Sequence, residues 1–339
     1  MKRKKESTNR NDKLTAAEMG KLWATYTGNS MAVRVLEYYL AHTEDEDIKR
    51  VVRSAFNLSK SMVQDIKDIF IREDFPVPIG FTEEDVNTGA PRLFSDEFYL
   101  HYLKYTSKAG MSLYSIAIPL MIRKDVRDFY IHVLNSTIKL VTEVNEVSAA
   151  KGFLVKPPFI PVPEEVNIVK QQKFLNGFLG DVRPLHALEV AHLYDSTEND
   201  ATSKALLIGF SQVAKMEKVK DFFVRGKEIT NKHIKTASQE LNRDNLPAPQ
   251  LVDDLVTAST IPPFSDKIML WHKIDMFSMK IRSYANSMSL NGRRDLGTIY
   301  AKFVMDIGLY LEDGANIMID QGWMEQPPEA ADRKELAKD

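Results

Sequence analysis

Apolar residues recur at spacings of three and four along most of the chain. In the first long stretch they are Met19, Leu22, Tyr26, Val33, Leu36 and Leu40; in the next, Ile48, Val51, Ala55, Leu58, Met62 and Ile69. That spacing lines one face of an α-helix. Proline marks the boundaries, because inside a helix it removes a hydrogen bond and clashes with the preceding turn. Of the 15 prolines, only Pro119 falls within a periodic segment, near its end, where a kink is tolerated. Start signals sit ahead of each segment. Thr15 and Glu18 form a capping box with Leu14 and Met19 as its staple, Thr43 and Glu46 repeat the pattern, and Ser95 precedes a first turn holding Asp96 and Glu97. Gly152 before Phe153 reads as a C-terminal cap. The pattern predicts four helices in the first half, near 15–42, 44–74, 96–122 and 125–151.

The second half repeats the first. "REDFPVP" from Arg72 returns as "RDNLPAP" from Arg243, 243 − 72 = 171 residues on. At that offset "LTAAEMGKLW" from Leu14 falls on "LHALEVAHLY" from Leu185. One residue is then lost, and "LFSDEFYL" from Leu93 meets "PFSDKIML" from Pro263. Landmarks held in register over a whole domain indicate a duplication. Within a unit the first and second helices are a few residues apart, as are the third and fourth, so each pair must be an antiparallel hairpin. The link between the pairs is about twenty residues, long enough to return along a 28-residue helix of ~42 Å. Two hairpins joined by one long crossover is the ferritin-like arrangement. The expected organisation is a disordered basic tail over 1–13, a first bundle over 14–152, a linker over 153–184, a second bundle over 185–326 and a C-terminal tail over 327–339. In the linker, "PPFIPVP" cannot be helical, and Phe174, Leu175, Phe178 and Leu179 of "FLNGFLG" are expected to be buried between the bundles.

Composition narrows the function classes. The chain has 339 residues, 44% of them hydrophobic and 27% charged, the balance of a globular soluble protein rather than a disordered one; with the helical periodicity above, the expected class is all-α. A net charge of −2 gives no nucleic-acid footprint. No segment reaches the ~18 apolar residues of a membrane span. The basic opening has no apolar run behind it and reads as a solvated tail. There are no cysteines, which removes disulfides and thiolate chemistry and fits a cytoplasmic location.

"LTAAEMGKLW", "REDFPVP" before "GFTEEDV", "LFSDEFYLHYL" and "KGFLVKPPFIPVPEEV" resemble an uncharacterised ferritin-like family of spore-forming bacteria. The resemblance covers roughly 14–160 and 185–330, more closely in the first copy. It implies tandem ferritin-like bundles and an association with spore biology, and it transfers no activity. The family places a histidine in the second helix, which matches His233, where the first copy has Met62.

The candidate chemistry is thin. A carboxylate-bridged metal pair needs Glu-x-x-His on two helices and a Glu from each of the others. The second helix has no histidine, and His132 follows Asp128 by four residues. Glu228 precedes His233 by five, about 140° around the helix. His233 therefore reads as a hydrogen-bonded core histidine. His186, Glu189 and His192 recur every three residues, a spacing that lets neighbours share a face, but the two histidines lie about 120° apart. Glu189 aligns with the capping-box Glu18 and is expected to pair with an arginine, Arg293 and Arg294 being nearby. Glu37 is expected near the first core in a buried ion pair with His101, Glu143 or Glu146 nearby. Trp23, Tyr26, Tyr38, Tyr39, Trp271 and Trp323 read as core rather than as walls of a ligand pocket. No nucleophilic triad or phosphate loop is visible. No catalytic residue and no cofactor is predicted, the metal candidates being only His186, Glu189, His192 and His233. These signals point to a non-enzymatic scaffold or interaction protein with protein partners. The alternatives are a redox protein with a degenerate metal site in one bundle and a carrier of an apolar ligand.

Overall fold

The computed structural model describes residues 13–178 and 180–338. Its first unit holds α1 (Ala16–His42), α2 (Glu46–Arg72), α3 (Asp96–Ala117) and α4 (Lys124–Ala150). The second holds α5 (Ala187–Val213), α6 (Glu217–Arg243), α7 (Asp266–Leu290) and α8 (Arg294–Asp320). There are no named strands among the described residues, so the all-α class stands. The third helix ends earlier than predicted: Pro119 lies in a 3-10 turn, Ile118–Leu120, because the α-helical ladder cannot run through it. Nor do Thr43 and Glu46 form a capping box. Asp45 caps α2 by accepting from Asp47 and Ile48, while the Thr43 hydroxyl donates back to the Tyr39 carbonyl. Ser95 sits at the N-cap position without a side-chain hydrogen bond, whereas its counterpart Ser265 accepts from the Ile268 N–H. Gly152 and Gly322 close α4 and α8 in the left-handed region, at φ 77° and 64°.

Two carboxylates fasten each unit, one at each end, all buried except the half-buried Asp96. Glu18 is fully buried and accepts from the backbone N–H groups of Ile122 and Arg123 at the start of α4. Glu189 does the same for Gly292 and Arg293 at the start of α8. At the opposite end Asp96, leading α3, accepts from Glu44 and Asp45, and Asp266, leading α7, accepts from Lys215 and Met216. A carboxylate on unpaired N–H groups at a helix start satisfies donors that have no intrahelical partner. These fasteners also fix the topology. The third helix of each unit starts where the first ends and the fourth starts where the first begins, so the long link runs back along the bundle.

The two units meet about a pseudo-two-fold axis. Val86 pairs with Phe264, and their counterparts Val256 and Phe94 pair with each other, as isolated antiparallel bridges between the two crossover segments. On the axis itself Tyr102 meets its own counterpart His272, with the phenol oxygen 2.7 Å from Nε2. Residue i touching j while j touches i is the signature of a two-fold interface. One hydrophobic cluster runs through this interface and includes Tyr39 and Leu103 from the first unit and Leu206 and Phe277 from the second. A separate cluster around Leu22, Met62, Ile66, Phe70 and Tyr130 fills the far end of the first unit.

The linker does not behave as predicted. Phe178 is 63% exposed and Leu175 also faces solvent, while Phe174 is half-buried under the Arg183 guanidinium, 4.1 Å from the ring centroid. Leu179 lies outside the described residues, as does the basic opening up to Asp12. The units meet instead through α1 against α7 and α3 against α5.

Candidate functional site: a cavity in the first unit

Of the metal candidates, Glu189 is committed to structure. Besides the two N–H groups of α8 it takes both guanidinium arms of Arg183, at 2.7 and 2.8 Å. Burial alone would raise its carboxyl, but these hydrogen bonds and the one from the His186 N–H hold it at about 2. The arginine is Arg183 from the linker, not the turn residues. Arg293 turns its side chain to Asp295 and Glu240 instead, and contributes only its N–H. His186 is the N-cap of α5, its Nδ1 accepting from the Glu189 N–H. His192 points away to Asn291. Among the described residues no group of three or more His, Asp or Glu is disposed to hold a metal ion. Glu37 is half-exposed and pairs with Arg34, and His101 pairs with Glu97, so the buried pair expected there does not form.

His233 belongs to a polar cluster in the second core. Its Nε2 lies 3.3 Å from Asp306, which Lys232 also holds at 2.9 Å, and its ring stacks on Phe303 at 4.0 Å. Nearby, Lys280 and Asp200, each 2% exposed, form a 2.7 Å ion pair, and Tyr284 donates to the same carboxylate. Burial lowers Lys280 below the ordinary lysine range, with Asp200 acting against it. Lys273 is wholly buried and lowered further by desolvation and by the charge of Lys280. It donates to the Ser203 hydroxyl at 2.8 Å. Both ammonium groups flank the Phe277 ring, at 5.0 and 4.4 Å. A lysine and its aspartate thus sit where the second bundle's helices converge.

Of this cluster the first unit keeps the tyrosine, Tyr114 for Tyr284, but not the charges. In the shared register Lys280 corresponds to Gly110, Phe277 to Ser107, Lys273 to Leu103, Asp200 to Asn29, His233 to Met62 and Tyr310 to Leu140. Tyr310 stacks on Phe222 at 4.0 Å with its hydroxyl over Gly226, filling the second core where Leu140 stops short in the first. In the first unit that space is a cavity of about 380 Å³, bounded by Leu103, Ser107, Gly110 and Leu140. It separates the two hydrophobic clusters of that unit. Met31, Leu36 and Ala55 form one end, and Met62, Tyr114 and Tyr130 the other.

Where the cavity opens follows from a second asymmetry. The α3·α5 seam is closed by ions: Lys104 meets Glu198 at 2.6 Å, and Lys108 meets Asp195, Glu198 and Asn199. The symmetry-related α7·α1 seam has Ile274 and Ser278 for the lysines and Ala24, Thr27 and Gly28 for their partners. No ion pair crosses it among the described residues. Ala24 is exposed there, and Ala24, Gly28 and Ser278 all line the cavity. Lys21 flanks this mouth from α1, and Asp275 and Arg282 from α7.

A single family model matches this chain twice, over residues 3–166 and 173–336. The chain belongs to the DUF3231 family, "Protein of unknown function". A crystal structure of a "putative spore coat protein" from Bacillus halodurans C-125 is similar at 18% identity and a TM-score of 0.41, over 45% of this chain and 98% of that one. No curated protein matches.

Of the aromatics singled out in this DUF3231 chain, Tyr38 and Tyr39 are fully buried core. None of the six lines the cavity, whose aromatic walls are Tyr102, Tyr114 and Tyr130. Ser107, Gly110, Asp275 and Arg282 carry no motif. The one signal in the sequence that finds Ser107 and Gly110 is the loss of side-chain volume against Phe277 and Lys280 at the aligned positions of the second copy.

Proposed function

We propose that this chain is a non-enzymatic binding protein built of two ferritin-like bundles, in which the second bundle is a closed scaffold and the first holds a small apolar molecule. The observation that carries this reading is that one central space is filled by Phe277, Lys280 and Tyr310 in the second unit and left open at about 380 Å³ in the first. Small-molecule sites are concave, mostly apolar and about 300–1,000 Å³. The hairpin, long crossover, hairpin connectivity supports the ferritin-like assignment. The resemblance of its motifs supports an association with spore biology. A metal-dependent redox role finds less support, since Glu189 is spent on α8 and Arg183 and His233 is enclosed by Tyr284, Phe303 and Asp306.

Titration with the neutral fluorophore N-phenyl-1-naphthylamine tests the reading. Saturable one-to-one binding is expected for the wild type, and its loss in Ser107→Phe, which copies the second unit's residue into the cavity. Binding unaffected by Ser107→Phe, or none in the wild type, overturns it.

A further inference from the structure

Three charged side chains flank the mouth, and they are not a balanced set. Lys21 and Arg282 are cationic, and neither side chain has a hydrogen bond or ion pair to any described residue. Asp275, about two turns before Arg282 on α7, is the single carboxylate lining the cavity. Its carboxyl has no hydrogen-bond partner among the described residues either, and Arg282 acts on it only through space. Elsewhere in the wall the Thr106 hydroxyl donates to the Tyr102 carbonyl and the Thr137 hydroxyl to the Val133 carbonyl, while Thr25 pairs with Tyr130 and Tyr102 with His272.

The placement of Arg282 and Lys21 follows from the two-fold. On the closed seam Lys108 of α3 faces Asp195 of α5. Their counterparts Ser278 and Ala24 face each other on the open seam. The helices run antiparallel there, so one turn on along α7 and one turn back along α1 bring Arg282 and Lys21 to the same level. Two cations at one level, beyond the end of an apolar chamber, make a site for an anionic head with an apolar tail.

We propose that the ligand is a medium-chain apolar monocarboxylate, its alkyl chain in the cavity of the first unit and its head on Arg282 and Lys21. This rests on the cavity-binding reading above and goes beyond it by naming the headgroup. Asp275 enters as the group that must be protonated for the head to dock without repulsion. Burial pushes its carboxyl up to about 6, against the pull of Arg282. The charged or titratable groups around it are Arg282 and His272 on α7, Lys21 on α1, and Tyr102, Tyr105 and Tyr114 on α3. The tyrosines are raised by burial and the histidine is lowered to about 3, so Asp275 alone in this group titrates near pH 6. Bringing a second carboxylate beside it raises it further, so binding takes up a proton near neutral pH and tightens as the pH falls towards 6.

Isothermal titration calorimetry on the full-length chain, with decanoate, 1-decanol and decylamine compared below their aggregation concentrations, tests the headgroup. Decanoate is expected to bind one to one and more tightly than either, with Arg282→Gln weakening decanoate by about tenfold or more and leaving decanol nearly unchanged. Its apparent proton uptake, read from buffers of different ionisation enthalpy, should vanish in Asp275→Asn. Ser107→Phe, or Leu140→Phe if the first does not fold, should block both decanoate and decanol. Equal binding of decanoate and decanol, tighter binding of decylamine, or an equal loss of both ligands in Arg282→Gln overturns the headgroup assignment while the cavity reading stands. Failure of all three ligands to bind the wild type, or binding undiminished in the filled variants, overturns the cavity reading and this inference with it.

Discussion

Replacing Asp275 with asparagine should stabilise the protein at neutral pH and leave it unchanged in acid. The ordinary carboxyl value is 3.8 and burial beside the cavity lifts it to about 6. Folding therefore has to hold an ionised carboxylate in poorly solvated surroundings at pH 8. The difference between 3.8 and about 6, at 1.36 kcal/mol per pH unit, sets an upper bound near 3 kcal/mol, and water at the mouth reduces the gain to about 1–3 kcal/mol. The sign follows from proton linkage. The folded chain holds this proton more tightly than the unfolded chain, so the group costs nothing below its unfolded value near 3.8. Stability is then lost as the pH rises towards 6, and the full penalty persists above it. Asparagine imitates the protonated acid and removes the penalty. Urea unfolding at pH 8, 5 and 3.5 measures it, with the midpoint of Asp275→Asn raised at pH 8, less so at pH 5, and equal to wild type at 3.5, at unchanged slope. A gain that is the same at every pH, or a loss at pH 8, would refute the argument that desolvation dominates at this carboxyl.

Asp200→Asn strips the counter-ion from buried Lys280 and is expected to cost about 3–5 kcal/mol, while the paired replacement Asp200→Leu with Lys280→Met recovers most of it; chemical denaturation of both decides. Glu189→Gln should cost about 3 kcal/mol at pH 7, since its carboxyl is held at about 2 against an ordinary 4.5. That deficit is present above 4.5 and shrinks as the pH falls towards 2, which a pH series of melting curves will show. Zinc or iron is expected to leave the melting temperature of the wild type unchanged, and a shift abolished by Glu189→Ala would return the metal reading. Residues 1–166 and 173–339 produced as separate chains should assemble one to one through the Tyr102–His272 axis, as size-exclusion chromatography with light scattering can report.

The helices and the duplication were legible because prolines, caps and the three-four spacing are local and strong. The carboxylate fasteners were half legible. Glu18 and Glu189 announce themselves as capping-box residues, but nothing local says that each also holds the start of a helix about a hundred residues on. Arg183 was missed because its contact with Glu189 depends on the path of the linker. The same path misled the expectation for Leu175 and Phe178: apolar composition promises burial only where the chain is led between packed surfaces, and the units meet through α1·α7 and α3·α5 rather than through the linker. Lys273 and Lys280 were passed over because charges on a helix are ordinarily solvated. The cavity could not be read from either copy alone, since a serine and a glycine on a helix are unremarkable until set against Phe277 and Lys280.

The size of that cavity bears on how the chain remains stable. Core truncations cost about 24 cal/mol for each Å³ of void left, so 380 Å³ held dry would cost about 9 kcal/mol, comparable with the whole stability of an ordinary domain at 5–15 kcal/mol. A lone bundle with such a void would be marginal. Here the void divides only the first unit's core, and the larger of its two parts is continuous with the packed second unit through Tyr39, Leu103, Leu206 and Phe277. The α3·α5 seam adds Lys104 and Lys108 on Glu198 and Asp195, fixing one side of the interface. The opposite seam is then free to carry Ala24, Gly28 and Ser278, residues too small to close it. Duplication thus separates two demands that compete within one bundle, a filled core and an open one, and any molecule that fills the first unit recovers part of the ~9 kcal/mol that the second unit otherwise has to offset.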